Sequence, residues 1–229
     1  MVKIAVVFGA SGGLSEAIIE KLLCDGWRVD AVSRISNKDA LLARYANAVS
    51  RGQLKLYCVE TRYSDFRFPV SYDVVIFTQA LFDPSPIVHM DTAQIMREIS
   101  VGLSDPMILT KDFLSAFPST VGHRRDVCFI GSTSAYSGFR NTSVYCAVKH
   151  GLLGFVRALN DEYSDTDDRF WLFSMGTMRT TMGEKVQSQD PSSYLDPFDV
   201  AERIVKSLLA TTNVFEPEVV MRRRFMKKL

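Results

Sequence analysis

The chain has 229 residues, 47% hydrophobic and 23% charged, which suits one globular domain with a full core and argues against disorder. Its 27 basic and 26 acidic residues leave a formal net charge of +1, so nothing in the charge calls for a nucleic acid or an acidic membrane as partner. No apolar run approaches the roughly 20 residues of a membrane-spanning helix. Ile4 to Phe8 ends at once in a glycine-rich turn and so reads as a buried strand rather than a secretory leader; the expected location is the cytoplasm.

Strand-like and helix-like segments alternate along the chain. Lys3–Phe8 reads as a strand, Leu14–Asp25 as a helix ended by Gly26, and Arg28–Ser33 as a second strand. A helix over Lys38–Ser50 leads to a strand over Gln53–Glu60 and another over Val74–Thr78. Thr92–Ser100 and Pro106–Ala116 have helical spacing, Arg125–Ile130 is a fifth strand, Ser143–Tyr163 a long helix, and Arg169–Ser174 a sixth strand. Pro197–Ala210 is the last helix and Glu216–Met221 a closing strand. The alternation implies an α/β fold with a parallel sheet covered by helices on both faces, as a single domain over residues 1–229. The polar stretch Met182–Asp196 follows a strand end, where such sheets bind ligands, and is expected to be a mobile substrate loop. Cys24, Cys58, Cys128 and Cys146 lie far apart without a CxxC pair, so free and mostly buried thiols are expected. No metal set emerges from them or from His89, His123 and His150; His150 follows Lys149 but points about 100° away around its helix.

The first strand runs into Gly9-Ala10-Ser11-Gly12-Gly13-Leu14-Ser15 and then a helix. Glycines let the backbone approach a pyrophosphate, and a helix N-terminus offers free N–H groups and positive dipole, so Gly9, Ser11, Gly12, Gly13 and Leu14 are candidate binders of a dinucleotide. The second strand ends Val32-Ser33-Arg34 with no carboxylate to take ribose hydroxyls, while Arg34 presents a planar, permanently charged fork. Ser33 and Arg34 therefore favour NADP(H) over NAD(H). Asp30 lies too early in the strand to compete, and Glu60 and Thr61 stand where an adenine pocket would be lined.

Tyr145 and Lys149 are four residues apart at the start of the long helix and so share one face. A free phenol titrates near ~10. A neighbouring ammonium favours the phenolate, which makes the pair an acid/base suited to carbonyl reduction or alcohol oxidation. A strand ending Ile130-Gly131-Ser132-Thr133-Ser134 precedes it, with Ser132 thirteen residues before Tyr145.

Together these features resemble the short-chain dehydrogenase/reductase family over essentially the whole chain, from Lys3 to about Met221. The family's TGxxxGxG turn is matched with Phe8 for the threonine and Ser15 for the last glycine. The resemblance implies a Rossmann-type doubly wound sheet of about seven strands. It makes Ser132 the catalytic serine, with Ser134 as runner-up, Tyr145 the acid/base, and Lys149 its partner and a ribose contact. Thr78-Gln79-Ala80-Leu81 stands where the family has Asn-Asn-Ala-Gly, which adds Thr78, Gln79 and Ala80 to the cofactor set; Gly176 and Thr180 match its Pro-Gly-x-x-x-Thr segment beside the nicotinamide. A small-molecule carbonyl or alcohol substrate follows, with a homodimer or homotetramer by analogy.

Phe82, Phe139, Met178, Met182 and Tyr194 would make a mostly apolar substrate pocket. The family's active-site asparagine after the fourth strand is missing: Gly102, or Ser100 in a shifted alignment, stands there, which either leaves space at Gly102 for a water that restores the relay or leaves a slow enzyme. That loss motivates an alternative, a non-enzymatic or regulatory dinucleotide-binding protein; an epimerase or dehydratase is a second. The basic Arg222–Lys228 segment reads as a solvated tail.

Overall fold

The computed structural model describes residues 2–186, 189–210 and 214–223. Short apolar runs give strands β1 (Ile4–Phe8), β2 (Arg28–Arg34), β3 (Leu54–Val59), β4 (Val74–Phe77), β5 (Asp126–Ile130), β6 (Arg169–Met175) and β7 (Glu218–Met221). All pair in parallel in the order β3-β2-β1-β4-β5-β6-β7. The central strands β1, β4 and β5 are buried almost end to end, which explains their unbroken hydrophobic sequences: both faces are covered, so no period of two survives.

The helices are α1 (Gly13–Cys24), α2 (Lys38–Arg44), α3 (Ala46–Ser50), α4 (Thr92–Ile99), α5 (Asp105–Ala116), α6 (Ser143–Glu162) and α7 (Pro197–Leu209). Apolar residues of α1 and α7 cover one face of the sheet. Those of α5 and α6 cover the other, with Phe8, Phe66, Phe68 and Phe77 in an edge-to-face and stacked aromatic group. Phe8, where the family carries threonine, is fully buried there.

The helices differ from expectation in two places. Lys38–Ser50 is broken at Tyr45, whose φ −103° and ψ 20° leave the helical region. The segments expected at Thr92–Ser100 and Pro106–Ala116 join through a π-helical turn over Ser100–Ser104. The described part of Met182–Asp196 is hydrogen-bonded to the segment after β6 and to itself. Leu195 N donates to Thr177 O at 3.0 Å, and Tyr194 Oη donates to Val186 O at 2.8 Å. Residues 187–188 of that stretch, and Arg224–Lys228 of the basic segment, lie outside the described residues. Among the described residues all four cysteines are free; Cys128 and Cys146 are buried, while Cys24 is exposed. No helix there is long and apolar enough to cross a membrane, and no cluster of metal-ligating side chains occurs.

Candidate active site

Strand order reverses between β1 and β4, and a cleft of about 600 Å³ opens at the carboxyl ends of the strands around that point. Its wall begins with the turn after β1. Gly9 has φ +79°, and a Cβ there would lie 2.7 Å from the backbone N of Gln79, so only glycine lets β1 and the segment after β4 come together. Ser15, in place of the family's last glycine, is 1% exposed and fastens the turn. Its Oγ accepts from Gly12 N at 2.9 Å and lies 2.8 Å from Gly9 O. The first N–H groups of α1 have no partner within the helix, and Gly12, Gly13 and Leu14 line the cleft, a donor set that fits a pyrophosphate.

Thr78 closes β4 and donates from Oγ1 to Phe8 O at 2.6 Å. Ala80 lines the cleft; Gln79 is 6% exposed behind Gly9 and does not. Gly176 and Thr180 border the cleft after β6, with Thr180 Cγ2 3.0 Å from the place of a Cβ on Gly13.

Ser132, at the end of β5, and Tyr145 and Lys149, on the first turns of α6, meet in the same cleft. Ser132 Oγ accepts from Ser134 N at 3.1 Å, and its hydrogen bond with the Tyr145 hydroxyl draws that phenol down. Ser132 is thus the serine that engages the tyrosine, and Ser134 holds it in place. Burial outweighs that hydrogen bond and pushes Tyr145 up to about 12. Burial, rather than the lysine, sets the net direction. Lys149 Nζ stands 5.5 Å from the tyrosine ring centre and donates to Ile130 O at 2.7 Å. It is 2% exposed, and burial lowers it to about 8.

Gly102 lies in the π turn, buried against α6. The place of its absent Cβ is 2.7 Å from Val148 Cγ1, so the valine methyl occupies the space in which a water had been envisaged. Phe82, Phe139, Met178 and Met182 line the same cleft, with Phe82 packed edge-on at 4.9 Å from Tyr145. Tyr194 is 6% exposed and lies outside the lining.

Ser33, Arg34 and Glu60 stand outside the lining as well, at the β2–β3 end of the sheet. Arg34 is exposed beside Tyr63, and Asp30 is occupied by a 2.6 Å hydrogen bond from Tyr72 Oη. Asn37 escaped the sequence reading. Its Nδ2 donates to Ser33 Oγ at 3.2 Å and to Ser11 Oγ at 3.1 Å, linking the phosphate turn to the end of β2. Its polar side chain four residues after Ser33 was the available signal. Lys185 was also missed. It reaches across the cleft to Phe82 O at 2.9 Å and Asp83 Oδ1 at 2.6 Å.

Comparison with known proteins places the fold and the family. The benzil reductase ((S)-benzoin forming) of Bacillus subtilis is 26% identical over 204 residues, covering 82% of this chain and 80% of that protein. A 4-hydroxyisoleucine dehydrogenase solved with NADH superposes with a TM-score of 0.82 at 20% identity, covering 96% of this chain and 97% of the other. ElxO with NADP bound superposes at 0.80 and 17% identity, with the same coverage. The family model described as short chain dehydrogenase matches residues 71–191, from the start of β4 through the Ser132, Tyr145 and Lys149 set to the loop after β6. This chain is a member of the short chain dehydrogenase family, an oxidoreductase family that uses nicotinamide dinucleotides.

Proposed function

We propose that this chain is an NADP(H)-dependent oxidoreductase that interconverts a carbonyl and an alcohol on a small or medium organic substrate, with Tyr145 as its acid/base. The observation that carries the reading is the convergence of Ser132, Tyr145 and Lys149 in one cleft with the phosphate turn. Ser11, Gly12, Gly13 and Leu14 would hold the pyrophosphate, with Gly9 and Gln79 shaping the turn. Thr78, Ala80, Gly176 and Thr180 would flank the nicotinamide, and Glu60 the adenine. Arg34 and Ser33, joined by Asn37, would take a 2′-phosphate, with Asp30 engaged by Tyr72.

When bound, the dinucleotide supplies hydride in the reducing direction. Ser132 steadies the substrate oxygen. Tyr145, whose high pKa keeps the phenol protonated at neutral pH, gives its proton to that oxygen. The phenolate left behind is stabilised by the Lys149 ammonium and regains a proton from solvent. Alcohol oxidation runs the same transfers in reverse. Pairing of subunits through α5 and α6 is part of the proposal, supported by the exposed Met107 and Ile108 on α5 and by Ala147, Gly151, Gly154 and Ala158 on the exposed side of α6.

The test is a fluorescence titration with NADPH and, separately, NADH, followed by a carbonyl screen. The expected result is tighter NADPH binding that Arg34→Ala weakens about tenfold, and turnover that Tyr145→Phe abolishes. Stronger NADH binding would overturn the 2′-phosphate assignment. Full turnover by the Tyr145→Phe variant would overturn the acid/base assignment.

A further inference from the structure

The substrate end of the cleft has apolar walls and an uneven distribution of charge. Phe82, Phe139, Met182 and Val186 form the walls, and Phe139 and Met182 are 49% and 36% exposed, so apolar surface stands open to a ligand. Among the described residues, the side chains lining the cleft include Arg140, Lys149 and Lys185 but no carboxylate. Two of these cations are engaged. Lys149 is bonded to the Ile130 carbonyl, and Lys185 is neutralised by Asp83 at 2.6 Å. Arg140 is exposed and has no hydrogen bond or ion pair among the described residues.

The backbone that carries Arg140 is nevertheless fixed. Thr142 Oγ1 donates to Phe139 O at 2.9 Å, and Ser85 N donates to Asn141 O at 2.8 Å, tying the turn to the opposite loop. Asn141 adopts φ +63°, a conformation that asparagine tolerates better than most residues and that directs the chain sharply around Arg140. A guanidinium on a pinned turn at the mouth of an apolar cleft, with its charge uncompensated, matches an anion that arrives attached to an apolar body. Its fork geometry fits a carboxylate through paired N–H···O bonds.

We propose that the substrate bears a carboxylate held by Arg140 while its apolar portion lies against Phe82, Phe139 and Met182. This rests on the oxidoreductase reading for the site and adds the substrate class. Arg140 is a binding and orienting residue, distinct from the acid/base set.

The test compares 4-(hydroxymethyl)benzoate with its neutral isostere 4-(hydroxymethyl)benzamide by calorimetric titration of the full chain, with and without saturating NADPH. It is repeated with Arg140→Met and Arg140→Lys. The expected result is that the carboxylate binds about tenfold more tightly than the neutral ligand. Arg140→Met removes that difference and Arg140→Lys retains part of it. Equal affinity, absence of binding by both, or a preference that survives Arg140→Met overturns the proposal. Turnover of the matching aldehydes with NADPH is read separately. Turnover without preference for the carboxylated aldehyde sinks the carboxylate site and leaves the oxidoreductase reading standing. A carboxylate preference in binding, with no nucleotide oxidised by either aldehyde, sinks the oxidoreductase reading and leaves the anion contact.

Discussion

Lys149 donates to the Ile130 carbonyl at 2.7 Å inside the protein, and burial lowers its pKa to about 8 from the ordinary lysine value. Its ammonium is therefore the dominant form below about 8 and is lost above it. Tyr145, pushed up to about 12, stays protonated throughout that range. In the reducing direction of the proposed mechanism, the productive state needs a neutral phenol and a charged lysine, and both are present together only on the acid side of the lysine transition. The expected outcome is a kcat/KM for carbonyl reduction that is level below pH 8 and declines above it. Lys149→Arg, which keeps its charge, removes that decline, and Lys149→Met lowers the rate about 10²-fold or more. A wild-type profile that stays flat from pH 6 to 10 would show that the lysine charge is not required.

Among the elements, the π turn over Ser100–Ser104 has the most direct bearing on the site. Gly102 in that turn meets Val148, and Leu103 meets Gly151, so the turn presses on α6 at the residue before Lys149 and at the second residue after it, on a neighbouring face. Gly102→Ala would place a methyl 2.7 Å from Val148 Cγ1. The expected cost is about 1–3 kcal/mol of stability, as for overpacking generally, with a fall in kcat as α6 shifts. Adding Val148→Ala should recover much of both, which urea denaturation and turnover of the single and double variants can check. Restoring the family's asparagine at Gly102 is expected to damage the site for the same steric reason. The sequence could not reveal this contact. A π turn leaves no compositional trace, and the Val148 methyl comes from an element more than forty residues away. The glycine turn, the Tyr145–Lys149 spacing and Ser132 were legible because each is a short-range pattern on a single strand-turn-helix unit. Asn37, the Lys185–Asp83 clasp and the pinned turn at Arg140 are relations between loops, set by tertiary packing. The same holds for Tyr194, which was expected in the pocket and lies instead in the core of its own loop.

At the scale of the whole molecule, the two ends of the parallel sheet have different tasks. The carboxyl ends of the strands hold the cleft, while the amino ends of β4, β5 and β6 carry a set of buried and half-buried carboxylates in ion pairs and hydrogen bonds. Arg125 Nε and Nη2 donate to the two oxygens of Asp168 at 2.8 and 2.5 Å, with both side chains almost wholly buried. Asp126 accepts from Arg169 Nε at 2.8 Å and from Trp171 Nε1 at 2.6 Å, and Asp73 accepts from Ile4 N at 2.7 Å. A buried pair earns little net stability over an apolar pair of the same shape, but removing one member strands the other charge, at about 3–5 kcal/mol. Asp168→Ala is therefore expected to lower the thermal midpoint by roughly 6–20 °C for a domain of this size. Arg125→Met combined with Asp168→Leu should recover a large part of that loss, because no charge is left unpaired. The nucleotide dissociation constant of both variants, measured well below their midpoints, should stay within about twofold of the parent, since mutations at distant sites without shared partners act independently. A large loss of nucleotide affinity in Asp168→Ala at a temperature where it remains folded would mean that the amino ends of the strands help to set the geometry of the cleft. In that case the division between a stabilising end and a functional end would not hold for this protein.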